Sequence, residues 1–156
     1  GNIHGGYILS LMDQIAFACA SKHSEAYCVT ASVDKVDFLK PIEVGELVTM
    51  RASINYVGRT SMVVGVRVAS EKIQTGETKH CNSSYFTMVA KNENGKSIAV
   101  PGLILENETA VRRFVRSVIR QEDTKQRRDR FKASEFEMAA HLDTLKGYNV
   151  QIDLQK

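Results

Sequence analysis

A lone carboxylate inside an otherwise apolar helical segment constrains this chain more than any other feature. Between Tyr7 and Ala20, the residues Ile8, Leu11, Met12, Ile15, Ala16 and Cys19 recur at the i, i+3, i+4 spacing of a buried helical stripe. Leu9 and Phe17 make the remaining surface apolar as well, so this helix is expected to be buried nearly all round. Asp13 sits in its middle. An unpaired carboxylate in such surroundings is costly. It either finds a buried partner or is kept because chemistry is done there.

The rest of the chain shows how such a helix could be covered. A β-rich run from Cys28 to Leu39 ends at Lys40-Pro41, where proline stops strand pairing. Residues 46–57 alternate, with Val48, Met50, Ala52, Ile54 and Tyr56 on one face and Thr49, Arg51, Ser53 and Asn55 on the other. After a turn at Gly58-Arg59-Thr60, Met62, Val64, Val66 and Val68 continue the alternation in a partner strand. A further strand covers residues 78–91, and a short one is expected from Ser97 to Val100. One helix followed by long antiparallel strands is an α+β plan. A strand of ~12 residues spans ~40 Å against ~25 Å for the helix, so the sheet can curl around it.

Beyond Pro101 the pattern changes. Val111, Phe114, Val115, Val118 and Ile119 predict an amphipathic helix capped by Asn107 or Thr109. Phe136, Ala139, Ala140 and Leu142 suggest a second helix over 133–145, and Tyr148 to Leu154 alternates weakly, as a strand or a loose end. Domains are therefore expected at 1–105 and 106–156. Residues 112–132 hold nine Lys/Arg against three acids, a local balance of +6, which leaves −3 elsewhere in a chain of net +3. Those charges interleave with Val and Phe and few aromatics accompany them, which argues against a nucleic-acid surface. No apolar run reaches the ~18–20 residues of a membrane span. Cys19, Cys28 and Cys81 form no CxxC, so free thiols in a reducing cytoplasm are expected. The four histidines lack metal-ligand spacing, so neither a metal nor another cofactor is expected.

Three segments carry the chemistry: Gly1-Asn-Ile-His-Gly-Gly6 with Leu11-Met-Asp13, then Val29-Thr-Ala-Ser-Val-Asp34, then Gly58-Arg-Thr-Ser-Met62. In this order they resemble the hotdog-fold acyl-CoA thioester hydrolases, especially the branch of the cytosolic acyl-CoA hydrolases. The resemblance covers residues 1 to about 103, and the basic helix to about 125. It implies a long antiparallel sheet wrapped around a central helix, and hydrolysis of acyl-CoA to a fatty acid and CoA. Relatives carry a strand before the helix that ends in an Asn. The sequence opens after that point, and Asn2 is no obvious match.

Helix geometry adds an independent constraint. His4 lies nine residues before Asp13, which places it ~180° around the helix and ~13 Å along it. One helix cannot bring both ends of this motif to one substrate atom, whereas two antiparallel copies can. A homodimer with composite sites follows, and the resemblance extends this to a trimer of dimers. The backbone N–H groups of Gly5 and Gly6 are expected to be free at the helix start, where the dipole favours an oxyanion. Asp13 of the partner subunit would then act as general base or nucleophile.

The resemblance further implies that Ser32 orients the water, and that Ala31, Ser32, Val33, Thr60, Ser61 and Met62 line the path of CoA. Arg59 at its turn, and Arg120 after the Val-Pro segment, would meet phosphates. Plainer roles stand beside these: His4 orienting the loop, Ser32 an ordinary strand residue, Arg120 part of a solvated face. Two other functions fit the same segments, a non-catalytic acyl-CoA-binding module and a hotdog dehydratase. The second lacks its proline-rich loop here.

Overall fold

A computed structural model describes residues 1–154 and divides the chain into two compact units, Gly1–Val118 and Ile119–Lys156. In the first unit, α1 (Gly5–Ser24) precedes four strands: β1 (Tyr27–Val33), β2 (Leu47–Val57), β3 (Ser61–Lys72) and β4 (Glu77–Lys91). All pairs are antiparallel, in the order β1-β4-β3-β2. α1 touches all four strands. The α+β reading holds: one helix lies against a long antiparallel sheet.

The core is the product of two periodicities meeting. α1 buries Ile8, Met12, Ala16 and Ala20, a strict i, i+4 row. β3 and β4 bury Met62, Val64, Val66, Val68, Phe86, Met88 and Ala90, every second residue. Small Ala16 and Ala20 let the helix approach the sheet, while Met12 and Met88 fill irregular space. α1 ends at Glu25, whose φ of 54° is left-handed, and its last turn is tied down by His23 Nε2, which donates to the Pro101 carbonyl at 3.0 Å.

Several expectations need correction. α1 is not buried nearly all round within one chain: only the Ile8–Ala20 row is, while Tyr7 and Phe17 remain exposed. β1 stops at Val33 rather than Leu39, because beyond it only Asp34 and Leu39 donate to β4, and those two bonds form no ladder. Ser97–Val100 is no strand. Ser97 makes a single bridge with Lys91, Ile98 donates to Ala90 and Val100 to Arg59, so its bonds diverge to different elements. In β2 the alternation breaks at a bulge between Ile54 and Tyr56, and Asn55, on the face opposite the apolar residues, is buried.

The second long helix, α2 (Glu108–Arg130), starts where Asn107 Oδ1 accepts from the Ala110 N–H at 2.9 Å, so Asn107 is the cap. Within the first unit its Phe114 packs on Tyr56 with ring centroids 4.9 Å apart. The second unit holds the remainder of α2 and two 3-10 segments, Ala133–Glu135 and Met138–Leu145. The helix expected over 133–145 is thus replaced by tighter turns. Its apolar residues are all exposed, so no packing rewards a regular amphipathic helix there. Among the described residues, 148–154 form no strand.

Candidate active site

Asp13 sits half-buried on the flank of α1, between the sealed row and solvent. Its partner comes from β1. The Thr30 hydroxyl donates to Asp13 Oδ1 at 2.6 Å, a short charge-assisted bond, and approaches Met88 Sδ at 3.5 Å. The bond fixes one carboxylate oxygen and leaves the other available. Beside the pair lies an open depression of about 590 Å³, whose walls include Gln14, Phe17, Tyr27 and Val29. Phe17 and Tyr27 meet edge to face at 5.8 Å and give it an apolar wall.

Thr30 is the residue the sequence reading passed over in favour of Ser32. The bulge at Ala31 shifts the β1–β4 register between Thr30 and Ser32. Alternation alone would put both on one face, yet only Thr30 reaches Asp13. Ser32 is exposed and makes no hydrogen bond to Asp13, and its neighbours Ala31 and Val33 are exposed too. The signal was a second hydroxyl two residues away; residue types do not mark where a bulge falls.

The start of α1 differs from expectation in one respect. His4 caps the helix, and its Nδ1 accepts from the Gly6 N–H at 3.1 Å, so that N–H is engaged rather than free. The cap requires a ring nitrogen with a lone pair, hence a neutral Nδ1. The Tyr7 and Ile8 N–H groups both turn to the His4 carbonyl. Among the described residues, the Gly5 N–H alone in this turn has no acceptor. Phe38 lies against Gly5 so closely that a Cβ there would stand 3.1 Å from its Cζ.

The segments expected to meet CoA gather at one end of the sheet. In the register, Val29, Val89 and Ser61 form one row and Thr30, Met88 and Met62 the next. With one strand between them, residues 29–33 and 60–62 lie ~10 Å apart. Arg59 is exposed at the β2–β3 turn, with Thr60 and Ser61 half-buried behind it. Met62 needs correction as a lining residue: its side chain is 0% exposed, pointing with Val64 into the core. Its parity on β3 decides this. Arg120 belongs to the second unit. Among the described residues no group of three His, Cys, Asp or Glu side chains could hold a metal.

Residues 1–77 match the family described as the thioesterase superfamily. The chain is 48% identical over 120 residues to protein VdlD of Helicobacter pylori, covering 77% of this chain and 68% of that one. Over 126 residues it is 37% identical to a Bacillus subtilis protein named uncharacterized acyl-CoA thioester hydrolase YkhA, covering 81% and 73%. A solved structure described as an apo-hexameric acyl-CoA thioesterase, 39% identical, matches with a TM-score of 0.79 over 81% of each chain.

Proposed function

The chain belongs to the thioesterase superfamily, and on that premise we propose that it hydrolyses acyl-CoA thioesters to a fatty acid and free CoA. The observation that carries this reading is the fixed carboxylate: Thr30 holds one oxygen of Asp13, and the other is left for the reaction. Two roles are open to that oxygen. It takes a proton from water as the water adds to the thioester carbon, or it adds to that carbon itself. In either case the carbonyl oxygen becomes an oxyanion, the C–S bond breaks and the sulfur leaves with a proton; in the second route water then hydrolyses the acyl–Asp13 anhydride, releasing the fatty acid and restoring the carboxylate. In a single turnover in ¹⁸O-water, label in the Asp13 carboxylate identifies the second route, because only an acyl–Asp13 anhydride opened at the aspartyl carbon can place it there. Neither route calls for a metal or a redox group.

The oxyanion needs donors, and the start of α1 supplies them, each typically worth ~3 kcal/mol in the transition state. Among the described residues, the Gly5 N–H has no acceptor, and the Gly6 N–H is held only by the His4 ring. These donors lie eight and seven residues before Asp13, ~10–12 Å along the axis of the same helix, too far apart to serve one thioester carbon. A second copy therefore completes each site. Its docking surface is supplied by Tyr7 and Phe17 on α1 and Tyr27 on the edge strand β1, exposed by 60%, 39% and 65%. A trimer of such dimers accords with the hexameric neighbour. Arg59 meets a phosphate of CoA, and Ala31 to Val33 with Thr60 and Ser61 flank its pantetheine arm. Neither nucleic acid nor membrane is a partner in this reading. The three free cysteines suit the cytoplasm, and among the described residues no helix is long and apolar enough to cross a membrane.

Asp13→Ala is expected to lose thiol release from acyl-CoA by more than about 100-fold with its circular dichroism unchanged. Thr30→Ala should lose about tenfold, and Thr30→Ser much less, because the hydroxyl is kept. Wild-type turnover in Asp13→Ala would overturn the reading. Tight acyl-CoA binding without turnover in the wild type would turn it into a binding module.

A further inference from the structure

On the face of the sheet turned away from α1, strands β2, β3 and β4 line an open groove of about 720 Å³, and Arg113 of α2 reaches the same groove. Its charge is one-sided. Arg51 and Arg67 stand directly opposite each other in the β2–β3 register, which puts their Cβ atoms ~5 Å apart. Among the described residues, none of the three arginines has a carboxylate within ion-pair distance. The one acid on the wall, Glu71, is four residues from Arg67 along β3, ~13 Å away. Like charges facing each other across a strand pair are destabilising. This chain nevertheless keeps such a pair and adds a third guanidinium from another element.

Apart from Glu71, the polar groups beside the arginines are uncharged. Tyr85 and Ser53 carry hydroxyls, and Asn55 is buried in the floor with its Oδ1 accepting from Ser53 Oγ at 2.7 Å. The Asn55 amide nitrogen lies over Gly65, where a Cβ would come within 2.4 Å of it. A guanidinium presents a planar fork that grips two oxygens of one phosphate. Three of them around a groove this wide match an anion with more than one such group better than a single carboxylate.

We propose that this groove is a binding site for a diphosphate group, separate from the thioester site on the other face of the sheet. Bound there, the anion relieves the Arg51–Arg67 repulsion and links β2, β3 and α2. It therefore stabilises the fold and is itself held tightly only at low ionic strength.

Calorimetric titration of the intact chain with inorganic pyrophosphate, at about 50 mM salt, tests this. One saturable class of sites per chain is expected, accompanied by a raised Tm. Affinity should fall about tenfold or more in R51Q/R67Q and in R113Q, an exposed helix position whose change leaves the sheet untouched. Asp13→Asn should bind as the wild type does. Competition by ADP identifies a nucleotide as the source of the diphosphate, and its absence identifies the free ion; the site stands either way. No saturable binding to the wild type overturns the proposal, as does wild-type affinity in both arginine variants. Loss confined to R59Q overturns it too, by moving the anion to the thioester site. If R51Q/R67Q alters the sedimentation coefficient while the wild type binds no pyrophosphate, the groove is an interface between copies and the proposal fails.

Discussion

His4 does a structural task at a position where catalysis would also want control. Its ring caps α1 by accepting from the Gly6 N–H, so His4→Ala should cost about 1 kcal/mol, the usual worth of an N-cap, read as a lower Tm. If the Gly6 N–H also serves the oxyanion, freeing it should leave kcat near wild type, so that stability and turnover separate. A catalytic proton donor would lose both together. Asp13 was legible in the sequence because a charge in an apolar stripe is conspicuous whatever surrounds it. Thr30 was not. Its claim rests on a bulge at Ala31 that decides which of two hydroxyls reaches Asp13, and a bulge is set by pairing with β4, not by the residues of β1 alone. Met62 fails for a related reason: being near the substrate path in sequence says nothing about which face of β3 its side chain takes.

At the scale of elements, alternation located β2 and β4 to within a residue and the start of β3 likewise, because each carries long runs whose apolar face meets α1. Segments lacking a partner surface were misread. Ser97–Val100 has strand-like residues but no neighbour to form a ladder with, and 133–145 has helical spacing but no face to bury. Two predictions concern how the strands are held. Gly65→Ala places a methyl 2.4 Å from the buried Asn55 amide, so a loss of about 1–3 kcal/mol is expected, as for other overpacked sites. Asn55→Ala in the same chain should recover part of it, giving non-additivity in a denaturant double-mutant cycle. The second is a pH dependence. Glu46 Oε1 meets Lys79 Nζ at 3.0 Å, tying the loop before β2 to β4. The Glu43 backbone N–H, with Lys79 and Ser70, holds the Glu46 carboxyl below its usual range, and Glu46 in turn holds Lys79 above its own. A carboxyl depressed on folding stabilises above its unfolded value, near 4.3, and loses that contribution as pH falls through the folded one. A raised lysine stabilises below about 10.4 and loses it as pH rises through its folded value. Tm should therefore fall at both extremes, and Glu46→Gln should flatten the acid limb while lowering Tm at neutral pH.

For the whole molecule, the proposed chemistry asks for more than a single chain brings together. Asp13 and the helix start are kept apart by the helix that carries both, and Phe17 and Tyr27 beside Asp13, with Tyr7 further up the helix, remain open to solvent. Both facts have one remedy, a second copy packed antiparallel along α1, which a symmetric dimer supplies twice over. This can be tested without a structure of the assembly. Asp13→Asn removes the carboxylate and leaves the N–H donors intact. Gly5→Val leaves the carboxylate and crowds the donor turn, where Phe38 is already within contact of any added Cβ. Each variant alone should be nearly inactive. Refolded together in equal amounts, half of the dimers are mixed, and in each of those one site draws a sound Asp13 from one chain and a sound helix start from the other. The mixture should then recover about a quarter of wild-type turnover. If both parts of the site came from the same chain, every site in the mixture would carry one defect, and turnover would stay at the level of the separate variants.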